Sequence, residues 1–267
     1  MNKVVVLIPH FNNVEGLKKS IISINENENL DLLIVDDGSL IERINEEEII
    51  SVFSVKGKII FIYMDENKGI EHALNNGLKY LIDKEYKYIA RLDVGDICLN
   101  MRFKKQFDFL EQNEEIGLIG SNVLIKDIQG NLLYKIKVPT DSVSIKNRMF
   151  ISSSTVIHPT IMFRKEIVSR VGFYPINYKA AEDYAYYFEI LKQYKFSNID
   201  EFLLEKELNP NSISIKNRKK QALNRVRIIS KNFYFGYFPI LGLILNYILY
   251  LAPNNLIIKI KKIIFKT

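Results

Sequence analysis

The chain holds one cysteine, Cys98, in 267 residues. That excludes an intramolecular disulfide and any cysteine-based zinc site. Its three histidines, His10, His72 and His158, lie far apart and show no metal-ligand spacing. The opening "MNKVVVLIPHFNN" is apolar for only five residues before Pro9, too short for a secretory signal. The sequence therefore predicts a chain that stays in a reducing compartment. No G-x-G-x-x-G follows that first run, so a dinucleotide fingerprint is missing, and no G-x-x-x-x-G-K-[ST] marks a P-loop. Acidic residues are missing too, but only locally: Lys216 to Thr267 carries eleven Lys and Arg and no Asp or Glu. The chain's 37 basic residues less these eleven leave 26 against 31 acidic groups in residues 1–215, a net of −5. An acidic body thus carries a basic tail, and the body has the wrong sign for a nucleic-acid binder.

What is present alternates. "KVVVLIP", "DLLIVDDGS", "KIIFIYM" and "YKYIARL" read as buried strands, being continuous apolar or β-branched runs stopped by turn residues. Between them, "VEGLKKSIISI", "INEEEIISVFSV" and "GIEHALNNGLKYLI" space their apolar residues as helical stripes. This alternation predicts an α/β fold, a mostly parallel sheet with helices on both faces. After Asp96 the rhythm changes to a helix over "MRFKKQFDFLEQ" and then strands joined by the turn "DIQGN". We expect one compact domain over 1–215, with a soft division near residue 100 and a core pattern complete by about residue 205. A tail over 216–267 follows.

Ligands of open parallel sheets bind beyond the carboxyl ends of the strands. Those ends read "IPHFNN", "VDDGS", "YMDENKG" and "RLDVGD". Taken singly, each is an ordinary turn. Taken together, they crowd carboxylates and Asn into one cleft, which needs a cation or several hydroxyl groups to hold.

"VVVLIPHFNNVEGLKKSIISI", "LLIVDDGS", "NKGIEHALNNGL", "YIARLDVGDI", "HPTIMFRKEIVSRVGFY" and "AEDYAYYFEIL" stand in an order and at spacings that resemble the family 2 glycosyltransferases of the GT-A fold. The resemblance covers roughly residues 3–205 and is nearest to bacterial enzymes that build O-antigen, capsule or lipooligosaccharide chains. It implies a Rossmann-like GT-A sheet with a mixed acceptor-side half. It also implies an inverting hexosyl- or N-acetylhexosaminyl-transferase using a nucleotide-diphosphate sugar, UDP-linked. By that resemblance Pro9, Phe11, Asn12, Asp37, Asn67 and Gly69 hold the nucleotide, with Asp37 accepting from the uracil imide. Asp93 sits in the D-x-D motif near ribose and metal, a Mg or Mn ion. Asp183 is the general base. The resemblance puts His158 and Glu182 on the acceptor side of the cleft; on the residues alone, Glu182 and Asp183 also read as acidic charge favoured at a helix start, and His158 as a packed histidine at a strand end.

Two departures stand out. Where many relatives read D-x-D-D, with the third residue on the metal, this chain has Asp93-Val94-Gly95-Asp96. The ligand is replaced by Gly95, which leaves three alternatives: Asp96 as substitute, a metal held by Asp93 and diphosphate oxygens, or no metal. Glu189 stands where relatives often carry arginine. In the tail, Asn232 to Ile258 is free of charge and flanked by "KNRKKQALNRVR" and "KIKKIIFK". Basic flanks on both sides argue against a single span and for an interfacial helix on an anionic membrane; a helical subdomain or oligomer contact is the plainer alternative. The expectation is a cytoplasmic protein, peripheral on the inner face of the cell membrane, with a glycan or lipid-linked acceptor. One rival reading, a sugar-nucleotide pyrophosphorylase, needs G-x-G-T-R-L after the first strand, where this chain has "PHFNN". Another, kept open by Gly95 and Glu189, is a non-catalytic nucleotide-sugar or glycan binding module.

Overall fold

A computed structural model describes residues 2–208 and 217–252. Four apolar runs form β1 (Val4–His10), β2 (Asp31–Asp36), β3 (Ile59–Tyr63) and β4 (Tyr88–Arg91). They are mutually parallel in the order β3-β2-β1-β4. The runs are apolar at successive positions because both faces of the sheet are covered. Val5, Leu7, Leu33 and Val35 enter one core, while Val4, Val6, Ile8, Leu32 and Ile34 enter the other. Each such side chain, fully buried, contributes about 1.5–3 kcal/mol.

The connecting helices are α1 (Val14–Ile22), α2 (Glu46–Ser51) and α3 (Ile70–Leu81). Asn13 and Asn45 cap the first two, each side chain accepting from a backbone N–H three residues on. β1 has β2 on one side and β4 on the other. The order therefore reverses at the carboxyl ends of β1 and β4, which opens a crevice there.

The remaining elements of the body are β5 (Ile97–Cys98), α4 (Arg102–Gln112), β6 (Ile116–Lys126), β7 (Leu132–Ile136), α5 (Ser142–Met149), β8 (Met162–Arg164), α6 (Glu166–Val171), α7 (Glu182–Ile190) and β9 (Lys195–Glu207). β8 pairs antiparallel with both β4 and β6. β9 runs parallel to β6 and antiparallel to β5, and β7 pairs antiparallel with β6. The sheet is thus parallel through the first hundred residues and mixed beyond them, as the change of rhythm predicts.

Sequence spacing ends the core near residue 205, and here the structure differs. Helix α8 (Arg218–Lys231) adds Ile228 and Ile229 to the core on the face beneath α7. It is pinned by Gln221 Nε2 and Asn224 Nδ2, which donate at 2.9 Å to the Ala180 and Lys179 carbonyls. Lys231 adds an ion pair with Glu189 at 3.1 Å. The cause is the mixed character of α8: its many cations hide a short apolar stripe. Helix α9 (Tyr237–Leu251) folds back on α8, and Gly242 lies against the Phe150 carbonyl, where a Cβ would collide. No helix among the described residues is long and apolar enough to cross a membrane. The second basic cluster, Lys259 to Lys266, lies outside the described residues.

Candidate functional site

The loop after β1 is fastened to the loop after β2. His10 Nδ1 and Asp36 Oδ2 lie 2.8 Å apart. Asp36 Oδ1 accepts from the Ser39 N–H at 2.6 Å, and Ser39 Oγ accepts from the Asn12 N–H at 2.8 Å. Asn12 itself has φ 45°, and its side-chain oxygen accepts from Ile41 and Glu42. Pro9 lies within β1 opposite Val35, and Phe11 projects beyond it, 47% exposed. Asp37 is buried. Its two oxygens accept from the Lys68 and Gly69 N–H groups at 2.9 Å each, so it ties β2 to the start of α3. Burial pushes its carboxyl above the usual range against those two hydrogen bonds. Gly38 has φ +69°, and a Cβ there would strike the Glu66 backbone; that close approach is why glycine follows the two aspartates. Asn67 is exposed on the same loop. The six residues assigned to the nucleotide therefore line adjacent strand ends. A cavity of about 270 Å³ beside them is lined by Asp36, Ser39, Arg43 and Tyr63 among others.

A second group lies across the crevice. Arg91, the last residue of β4, is fully buried and pairs through Nη2 with Asp93 Oδ1. Its Nε and Nη1 have no hydrogen-bond partner among the described residues. The turn that follows is held by Ser20 Oγ, which accepts from the Gly95 N–H at 2.8 Å. Gly95 adopts φ +93° with open space where a side chain would start. β5 and β9 pair with Ile97 opposite Glu205 and Cys98 opposite Leu204, so one step back along that register Asp96 faces Lys206. Lys206 Nζ lies 3.5 Å from Asp96 Oδ2 and 3.6 Å from Asp93 Oδ2. Burial raises the Asp93 carboxyl, but the charges of Arg91 and Lys206 outweigh it and leave it well below the usual range. Burial, reinforced by Asp93, pushes Asp96 up to about 7 against Lys206.

The same group includes residues from the far side of the sheet. His158 Nε2 lies 3.0 Å from the Tyr174 hydroxyl, and burial together with Arg91 holds the imidazole well below its usual pKa. At the start of α7, burial and the neighbouring Asp183 push Glu182 up to about 7, and burial raises Asp183. Asp183 feels the opposing charges of Arg225 and Arg91 and the like charge of Asp93. Arg225, on α8, stacks over the Tyr184 ring at 5.7 Å. Glu182 Oε2 and the Tyr187 hydroxyl are buried without a partner among the described residues. Buried polar atoms left unpaired cost free energy.

Sequence reasoning named Asp93, Asp96, His158, Glu182 and Asp183, and the fold brings these five to one side of the crevice. It assigned nothing to Arg91, Lys206 or Arg225. Arg91 carried a signal, a cation ending an apolar strand; the other two carried none. Glu189, at the arginine position of relatives, points instead to Lys192 and Lys231. The carboxylate set does not fit a divalent cation. The middle position is Gly95, Asp93 is engaged by Arg91, and an ammonium already stands between Asp93 and Asp96. Among the described residues no group of three or more His, Cys, Asp or Glu side chains could hold a metal ion.

An open sheet with an acidic crevice at its switch point is the architecture of GT-A glycosyltransferases. The chain belongs to glycosyl transferase family 2, whose sequence pattern matches residues 5–172. It is 32% identical over 179 residues to an uncharacterised glycosyltransferase of Methanocaldococcus jannaschii, an alignment covering 66% of this chain and 60% of that one. It is 27% identical over 143 residues to the O-antigen biosynthesis glycosyltransferase WbnJ of Escherichia coli, covering 52% and 55%. The fold resembles S. aureus TarS 1–349 in complex with UDP-GlcNAc, with TM-score 0.64, 14% identity and coverage of 92% and 72%. It also resembles the mannosyltransferase PcManGT of Pyrobaculum calidifontis in complex with GDP-Man and Mn²⁺, with TM-score 0.61, 15% identity and coverage of 94% and 70%.

Proposed function

We propose that the chain is an inverting glycosyltransferase that moves a sugar from a UDP-linked donor to a hydroxyl of a growing bacterial surface glycan. The observation that carries this reading is the grouping of Asp183 with Asp93 and Arg91 in one charged cluster. The donor's diphosphate lies by Asp93 and Arg91, and its base lies by Asp37. Asp183 takes the proton of the acceptor hydroxyl. The acceptor oxygen then bonds to the anomeric carbon from the face opposite the leaving group. The bond from that carbon to the diphosphate oxygen breaks, and its electron pair leaves with the nucleoside diphosphate. A carboxyl raised by burial is a stronger base than a solvated one, which suits this step.

The acceptor side is read as membrane-bound. Tyr237, Ile240, Ile244, Tyr247, Ile248 and Leu251 form an exposed stripe along α9, and Phe235 just before it is 95% exposed. Lys219, Lys220, Arg227 and Lys231 are exposed on the adjoining α8. Apolar stripe and cations together fit an anionic lipid surface, which would keep a lipid-linked acceptor near the crevice.

The test is release of nucleoside diphosphate from UDP-sugars in the presence of bacterial glycolipid. The Asp183→Asn variant should keep UDP affinity and lose about 10²–10⁴-fold in rate. Turnover close to wild type in that variant would remove Asp183 as the base, and UDP binding without any transfer would favour a binding module.

A further inference from the structure

The crevice contains a cation of its own, and sheet register puts it there. We propose that Lys206 supplies the fixed positive charge for the donor's diphosphate, so that this chain binds its nucleotide without a divalent metal. The inference rests on the donor-site reading above and deepens it.

Three observations carry it. First, the sequence position from which a third carboxylate would reach a metal is Gly95, with nothing within 4 Å of where a side chain would begin. Second, the two remaining carboxylates are already served by cations. Asp93 has Arg91 on one oxygen and Lys206 on the other, and Asp96 has Lys206. Third, Lys206 is not a casual surface lysine. The β5–β9 pairing fixes its backbone opposite Asp96, and its side chain is 38% exposed, so the ammonium reaches the open crevice from an anchored strand.

A divalent ion seated between Asp93 and Asp96 would be pressed against the ammonium of Lys206. A diphosphate instead gives the Lys206 ammonium, a compact point charge suited to phosphate oxygens, new acceptors, and the buried Arg91 guanidinium paired with Asp93 adds its charge nearby.

Calorimetric titration of the full chain with UDP, in EDTA and in Mn²⁺, tests the proposal. Wild type should bind with the same affinity in both. Lys206→Met, which keeps the stem and removes the charge, should bind about tenfold or more weakly in EDTA. Manganese should restore part of that loss, because the ammonium no longer stands between Asp93 and Asp96. Lys206→Arg should stay close to wild type in EDTA. Should Lys206→Met fail to fold, the wild-type pair of titrations and Lys206→Arg still decide the matter. Wild-type binding that requires Mn²⁺ leaves the donor site standing and overturns the proposal alone, as does unchanged affinity in Lys206→Met. Failure of both UDP and GDP to bind under every condition removes the donor-site reading, and the proposal falls with it.

Discussion

Two carboxylates in the crevice, Glu182 and Asp93, respond to pH in opposite senses. Glu182 has an ordinary value of 4.5 and is raised to about 7, by burial first and by Asp183 second. Below about pH 4.5 it is protonated in folded and unfolded chains alike. Between 4.5 and 7 the unfolded chain releases the proton while the folded chain keeps it, so rising pH favours unfolding, and above 7 the penalty is complete. Glu182→Gln should therefore raise the melting temperature at pH 8 and leave it unchanged at pH 4; calorimetric scans that shift equally at both would refute the assignment. Asp93 works the other way. Its lowered carboxyl adds stability that is present above the usual aspartate range and is lost as pH falls through its folded value. Arg225 acts on Asp183 through its charge. Arg225→Ala should move the acidic limb of the pH–rate profile to higher pH, since the base then loses a partner that favours its ionised form. A limb that stays in place would show that Arg225 serves only packing against Tyr184.

At the scale of elements, α8 separates stability from surface chemistry. Ile229 is fully buried there, and Ile229→Ala should cost about 2–5 kcal/mol, seen as a lower denaturant midpoint. Phe235→Ala, at a residue 95% exposed, should leave the midpoint where it is. Equal effects from the two would mean that α8 is not part of the core. The same contrast explains what was legible in the sequence. β1 to β4 are each written locally, as continuous apolar runs ending in turn residues, and so are the acidic residues that follow them. Asp183 was singled out only through the resemblance carried by "AEDYAYYFEIL". Lys206 was not, because its meaning depends on the register of β9 against β5, and nothing near Lys206 in sequence encodes that. Arg225 and the two buried isoleucines of α8 were hidden for another reason. A helix with so many cations reads as solvated unless the face it presents to α7 is known.

At the scale of the molecule, charge is divided: residues 1–215 carry a net of −5, and residues 216–267 hold eleven Lys and Arg and no Asp or Glu. The chain should sediment with vesicles containing anionic lipid and not with neutral ones. Salt should weaken the binding because exposed cations are screened, each contributing up to about 1 kcal/mol. Tyr247→Ala should lower affinity without changing the salt dependence. Binding that ignores both salt and lipid charge would sink the interfacial reading.

The position of β9 also has a consequence in time. β1 to β4 pair among themselves and β6 pairs with β7 and β8, whereas β5 pairs only with β9 among the described strands. A ribosome therefore delivers β1 to β4 before Lys206 exists. Closing the long loop between β6 and β9 costs chain entropy before any contact repays it, which makes that pairing slow. Pulse-labelled hydrogen exchange during refolding should protect the Val6 and Leu33 amides first and the Leu204 amide last. A newborn chain thus builds the Asp37 side of the crevice while Asp93 and Asp96 still face each other without their ammonium, and the charge proposed to hold a diphosphate arrives with β9.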